Sequence, residues 1–90
     1  MMADMIEQRI RTFLQDKFPL ARKSGIERDT ALLETGILDS LGILDVVSFV
    51  EFEFSLTVTD EELVPENFHN LGALSAFVRK KQGSEVWPSN

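Results

Sequence analysis

The amino-acid sequence predicts an all-α protein, a four-helix bundle with a long loop after the first helix and a short third helix. Apolar residues recur three and four positions apart in three separate segments, which is the pattern of helices that bury one face. The stretch "LTVT" at residues 56–59 suits a strand by composition, but a lone short strand has nothing to pair with, so a loop is expected. The 90 residues, 43% hydrophobic and 27% charged, fit one folded domain.

The first helix is predicted over residues 5–18. Asp4 is a suitable N-cap with Glu7 three residues later, and Pro19 ends the helix. Its inward stripe consists of Ile6, Ile10, Phe13, Leu14 and Phe18. Residues 20–29, "LARKSGIERD", show little periodicity and several charges, so a long surface connection is expected there.

The second helix is predicted over residues 40–54. Thr30 can cap a short turn, Gly36 supplies a permissive backbone for the reversal that follows, and Asp39 is the predicted N-cap. One stripe of this helix is predicted to be core: Ile43, Val46, Val47, Val50 and Phe54.

The same helix carries a second, partly apolar stripe of Leu41, Leu44, Ser48 and Phe52, with Asp45 and Glu51 beside it. We expect a docking surface for partner proteins, because acidic residues suit a wet rim better than a core. The alternative is a wide buried face in a tightly packed bundle.

The C-terminal part is predicted to hold one or two short helical turns within residues 60–68 and then a last helix. Thr59 and Glu62 have capping-box spacing, Pro65 suits a first helical position, and Phe68 is expected to anchor the turns to the core. The last helix has Asn70 as its cap, Leu71, Leu74, Phe77 and Val78 as its inward stripe, and basic residues 79–81 near its end at Gly83. We expect the domain to span residues 1–82, with a loose tail at 83–90 that leaves Trp87 half-exposed.

Charge and composition narrow the class of protein. The net charge is -6, and between Arg28 and Arg79 the chain has ten acidic residues and no Lys or Arg. This pattern disfavours nucleic-acid binding and favours basic protein partners, although an acidic face also serves solubility. With no apolar run of membrane-spanning length and no leader pattern, we expect a cytoplasmic protein that does not bind membranes. Cysteine is absent, so any thiol chemistry needs an imported thiol.

Catalytic and metal-binding patterns are scarce. His69 is the one histidine, and a Ser–His pair would need Ser40 or another serine to meet it across the fold. The acids of "TDEEL" lack calcium-loop spacing and fit a helix N-terminus, and no glycine-rich phosphate loop is present. We expect no metal site and no catalytic residues.

Ser40 stands directly after the cap Asp39, at the start of the second helix. It is either an ordinary first-turn residue or an attachment point for a phosphate-type anion, which the amides and dipole of a helix N-terminus stabilise. Physical chemistry alone leaves both possibilities open.

A resemblance adds to this reading. "GILDSLG", followed by "ILDVVSFVEFEFSL", "VTDEELVPENF" and a closing helix, resembles a free-standing acyl carrier protein from about Ile6 to Lys81, with Asp39-Ser40-Leu41 at the family's Asp-Ser-Leu signature. The resemblance implies a bundle of acyl-carrier type and a 4′-phosphopantetheine arm, taken from coenzyme A by a separate phosphopantetheinyl transferase and attached to Ser40. Asp39 and Leu41 would help to present the arm, which would hold cargo as a thioester. The protein would be a substrate of other enzymes and not a catalyst.

The resemblance also implies partners, namely an acyl-loading ligase or acyltransferase and later biosynthetic enzymes with basic docking patches. Leu41, Leu44, Asp45, Ser48, Glu51 and Phe52 would meet them. The chain departs from the fatty-acid-synthesis pattern at Gly42 and Phe52, where the family commonly has acids. These departures favour a dedicated carrier in a specialised pathway, and fatty-acid or polyketide synthesis is the other possibility. We expect the carrier to be a monomer.

Two alternatives compete with this prediction. An aminoacyl or peptidyl carrier is the nearer one, although such carriers more often have a different residue pair before the serine than Leu38-Asp39. A small acidic helical adaptor without a prosthetic group is the alternative from another class.

Overall fold

The computed structural model describes residues 2–86, with side chains described for residues 5–83. Within that range the chain is all-helical, as predicted, and "LTVT" lies outside helices and strands. The helices are α1 (Met2–Lys17), α2 (Pro19–Ser24), α3 (Ser40–Phe54), α4 (Pro65–Phe68) and α5 (Leu71–Val86), with a 3₁₀ turn at Asp60–Glu62. No helix of these residues is at once long and apolar enough to span a bilayer.

The segment after α1 contains a helix that the sequence pattern did not reveal. A residue before proline is pushed towards extended backbone, and Phe18 has φ -117° and ψ 113°. Pro19 then occupies the first position of α2, where its missing N–H costs nothing. Ala21 is fully buried and so fixes α2 to the core. The prediction of a connection over residues 20–29 is thus wrong for residues 20–24, and residues 25–39 link α2 to α3.

Residues 25–39 are tied to two helices of the bundle, α1 and α5. The guanidinium of Arg28 donates to the Glu7 carboxylate of α1 at 2.6 Å, and the carbonyl of Arg28 accepts from the Gly72 N–H of α5 at 2.9 Å. Ile26 is buried, and Gly36 has the positive φ, 82°, that the predicted reversal requires. This loop therefore delivers the chain to α3 in a fixed position.

The hydrophobic core lies between α1, α3 and α5, with α2 and α4 closing its sides. Its fully buried members include Ile10 and Leu14 of α1, Val46 of α3, and Leu74 and Val78 of α5. The predicted inward stripes of α3 and α5 are confirmed, with Ile43, Val47 and Phe54 half-buried against the core. Phe68 anchors α4, as predicted.

The chain between α3 and α5 is held by local caps. Pro65 starts α4, and the Glu62 carboxylate accepts from the Thr59 N–H at 2.9 Å, as the capping-box spacing predicts. The same carboxylate meets the Lys81 ammonium at 3.0 Å. The Thr59 N–H is the main cause that lowers the pKa of Glu62, and Lys81 adds to it against the opposing effect of burial.

The ends of the outer helices differ from prediction. The backbone is already helical at Met2, so Asp4 lies inside α1 and not at its cap. The predicted end of α5 at Gly83 is wrong, because Gly83 lacks the positive φ of a helix-terminating glycine and the helix continues to Val86. Trp87 and the rest of the predicted tail lie outside the described residues, and the division of the chain at residue 82 stays a prediction.

Candidate functional site on α3

The start of α3 presents Ser40 to solvent. Ser40 is the first residue of the helix, and its side chain is exposed. Asp39 is the N-cap, as predicted, and its Oδ1 accepts from the Gly42 N–H at 2.7 Å. Among the described residues, no hydrogen bond engages the Ser40 hydroxyl. The cap therefore orders the turn while Ser40 itself is left accessible.

Gly42, two residues after Ser40, is buried where α3 meets the end of α1. A Cβ on Gly42 would lie 3.0 Å from Cε1 of Phe18 and 3.2 Å from both Asp39 Oδ1 and Leu38 Cδ1. Contacts that short are closer than ordinary van der Waals packing. The glycine thus lets the Phe18 ring approach the backbone of the Ser40 turn.

One face of α3 is an exposed apolar ridge, which we define as Leu41, Leu44 and Phe52. Their exposed fractions are 74%, 55% and 87%. Ser48 and Asp45 are exposed beside them. Leu41 and Phe52 are 11 residues apart, which corresponds to about 16 Å along the helix axis. The stripe therefore faces water, and the alternative of a wide buried face is wrong.

The acidic residues of α3 differ in whether they already form hydrogen bonds or ion pairs within the protein. The Glu51 carboxylate accepts from the Val58 N–H at 2.8 Å and so fixes the loop after α3. Glu53 pairs with Arg9 of α1. Of these acids only Asp45 has neither an ion pair nor a backbone hydrogen bond within the described residues. The predicted role of Glu51 towards a partner stays a prediction, and its contact with Val58 competes with that role.

Comparison with known proteins reveals relatives of one kind. No protein-family model matches the chain. A probable acyl carrier protein, PigG from Serratia sp., is 29% identical over 76 residues, which cover 84% of this chain and 87% of PigG. Aminoacyl carrier protein 2 from Bradyrhizobium diazoefficiens is 29% identical over 75 residues, 83% of this chain and 80% of the relative. The resemblance to carrier proteins is confirmed.

A solved structure matches as well. A chain in the crystal structure of an FAD-dependent dehydrogenase has a TM-score of 0.57 and 31% identity, covering 61% of this chain and 78% of that chain. The all-α bundle predicted from the sequence is confirmed by the helices of the described residues.

Beside the site, the seam between α1 and α3 is lined by aromatic rings. Phe13 stacks on Phe49 with centroids 4.2 Å apart and planes at 10°, while Phe18 packs edge-on against Phe13 at 6.2 Å and Phe54 against Phe49 at 6.1 Å. Phe49 was not predicted to be part of either stripe of α3, because it lies between them. The available signal was an aromatic residue three positions after the core residue Val46, a spacing that makes the two neighbours on the helix surface.

The remaining candidates from the sequence form no second site. His69 has an exposed side chain at the end of α4, and its carbonyl accepts from the Leu32 N–H at 2.9 Å. Within the described part of the chain, no three His, Asp or Glu side chains lie close enough to hold a metal ion.

Proposed function

We propose that this chain is a carrier protein that holds acyl or similar intermediates on a 4′-phosphopantetheine arm at Ser40 Oγ. One observation carries the proposal. An exposed, unengaged serine begins α3 behind an Asp39 cap, in a chain similar to an acyl carrier protein over 84% of its length. The protein itself is then a substrate of its partners and supplies recognition.

The residues at the start of α3 fit such a group. A phosphodiester at the first residue of a helix lies beside free backbone amides and the positive end of the helix dipole. The exposure of Ser40 leaves room for the rest of the arm. When bound, the group supplies the thiol that this cysteine-free chain lacks, so that cargo is carried as a thioester. Asp39 keeps the turn formed, and Leu41 borders the attachment point.

The apolar ridge and Asp45 are the proposed docking surface for partner enzymes. Leu41, Leu44 and Phe52 would pack against apolar patches on a phosphopantetheinyl transferase, an acyl-loading ligase or acyltransferase, and later enzymes of the pathway. Asp45 would meet a Lys or Arg of the partner. A small contact steered by charge suits a carrier that must visit and leave several enzymes. In this proposal the carrier acts as a cytoplasmic monomer.

The class of cargo has two candidates. An acyl group in a specialised pathway is the first, and the similarity to an aminoacyl carrier protein favours an aminoacyl group as the second.

Loading followed by mass measurement tests the proposal. Apo protein is incubated with coenzyme A and a broad-specificity phosphopantetheinyl transferase, and its intact mass is compared with that of Ser40→Ala treated in the same way. The proposal predicts a gain of one phosphopantetheine in the wild-type protein and none in the variant. No gain with several transferases would contradict it and favour the acidic adaptor.

A further inference from the structure

The contact between Phe18 and Gly42 joins the end of α1 to the turn that carries Ser40. The Gly42 N–H is the donor that Asp39 Oδ1 caps at 2.7 Å, and the Phe18 ring lies 3.0 Å from where a Gly42 Cβ would stand. The capping hydrogen bond and the ring therefore hold the same residue. Gly42 is separated from Ser40 by Leu41 alone.

The ring of Phe18 is itself held in place. Its backbone N–H donates to the Leu14 carbonyl at 2.9 Å, and its carbonyl accepts from the Ala21 N–H at 3.0 Å. Its ring packs edge-on against Phe13, which stacks on Phe49 of α3. Phe18 is thus the last ring of a row that runs along the seam between α1 and α3. A row anchored in both helices gives the Ser40 turn a rigid support.

Glycine at position 42 is otherwise a poor choice for a helix start. Glycine is among the weakest helix formers, and an acidic residue in a first turn would gain from the helix dipole. A Cβ at this position would crowd the Phe18 ring most closely, at 3.0 Å, so the ring would have to move by a few tenths of an ångström. A residue that is unfavourable for the local helix but permits a tertiary contact is typical of a functional or strained position.

We infer that Phe18 is a positioning residue for the attachment of the arm to Ser40. This inference rests on the proposed carrier function. By packing on Gly42, Phe18 keeps the first turn of α3 closed around the Asp39 cap and so fixes the direction of Ser40 Oγ when the transferase brings coenzyme A. Small displacements of a reacting atom are enough to slow group transfer strongly.

Loading kinetics with coenzyme A and a broad-specificity phosphopantetheinyl transferase test the inference. Phe18→Ala is compared with Phe18→Leu and with Phe77→Ala, a control that removes a buried ring of α5 packed against Phe68. We expect kcat to fall about tenfold in Phe18→Ala with KM within about twofold, and to be largely restored in Phe18→Leu. Phe77→Ala is expected to load like the wild-type protein.

Hydrogen exchange gives a readout that does not depend on loading. The Gly42 amide is compared with the Ala73 amide, which Asn70 Oδ1 caps in the same way at 2.7 Å in α5. In Phe18→Ala we expect exchange of the Gly42 amide to accelerate about tenfold relative to that of Ala73, because the turn opens locally. Equal protection of both amides in the variant and the wild-type protein would contradict the inference.

A double-mutant cycle tests the contact itself. Gly42→Ala should slow loading when Phe18 is present and should cost less in the Phe18→Ala background, where the contact with the ring is removed and only those with Asp39 and Leu38 remain. Additive effects of the two changes would overturn the inference, as would equal losses of kcat in Phe18→Ala and Phe77→Ala. If the wild-type protein is not loaded, the carrier function itself is contradicted. If the wild-type protein is loaded and Phe18→Ala is loaded at the same rate, only the role of Phe18 is contradicted.

Discussion

The carboxylate of Glu51 accepts a hydrogen bond from the backbone N–H of Val58 at 2.8 Å. The contact joins the last turns of α3 to the loop that follows, and the Glu51 carbonyl also accepts from the Leu56 N–H at 3.2 Å. Glu51 lies beside the proposed docking surface, but its carboxylate already stabilises the fold. We therefore expect Glu51 to contribute to stability and Asp45 to contribute to docking.

Glu51→Ala is therefore expected to destabilise the protein. Removing a charged acceptor from a half-buried backbone N–H costs about 1–2 kcal/mol of unfolding free energy, and Glu51→Gln should lose roughly half of that. Urea unfolding at neutral pH measures both. Asp45→Asn serves as the control, since Asp45 is exposed and its loss should change stability little. A Glu51→Ala protein as stable as the control would show that the loop does not need this contact.

Phe52 is the most exposed member of the apolar ridge, so Phe52→Ser should leave the unfolding free energy within about 0.5 kcal/mol of the wild-type value. Phe68→Ala, a buried ring of α4, should lose about 3–5 kcal/mol. Thermal or urea unfolding of the pair measures the contrast. A large loss in Phe52→Ser would mean that this ring packs against the fold and is not available for docking.

Asp45→Lys is expected to weaken docking to enzymes with basic patches. Reversing the charge replaces an attraction with a repulsion, so the KM of the phosphopantetheinyl transferase for the apo protein should rise several-fold while kcat changes little. The effect should shrink as salt is raised, because exposed charges are screened. Asp16→Lys on α1 is the control with the same change of charge. An equal rise in KM in this variant would show that the effect depends on net charge and not on the position of Asp45.

The stability of the protein should fall in acid partly through Glu62. The Thr59 N–H and the Lys81 ammonium lower the pKa of Glu62, so the ionised carboxylate stabilises the folded state above the ordinary glutamate range. That contribution is lost as the pH falls below about 4 and through the lowered folded-state pKa. Glu62→Gln should be less stable than wild type at pH 7, with the difference shrinking towards pH 3. A difference that stays constant over this range would contradict the assignment.

Local signals in the sequence were enough to predict much of the fold. The bounds of α3, the Asp39 cap, the Pro65 start of α4 and the buried Phe68 all depend on residues that lie close together in the chain. The exposure of Ser40 and of the ridge followed from the periodicity of α3, because one face of that helix was already needed for the core. Helix spacing and capping chemistry therefore placed Ser40 at an exposed helix start, whereas its interpretation as an attachment site came from the resemblance to carrier proteins.

The features that were missed depend on tertiary contacts. α2 is too short for a periodic pattern and is fixed by the burial of Ala21. The Phe13–Phe49 stack pairs residues from two helices, and the contact of Glu51 with Val58 depends on how the loop after α3 folds back. The reason for glycine at position 42 emerged only when the Phe18 ring was seen beside it.

Locating the modified residue tests whether Ser40 carries the phosphopantetheine arm. After incubation with coenzyme A and a phosphopantetheinyl transferase, the intact protein is fragmented in a mass spectrometer and the added mass is assigned to a residue. We predict one phosphopantetheine on Ser40 and an unmodified, folded Ser40→Ala variant. An unmodified wild-type protein, or a modification at any other serine, would contradict it.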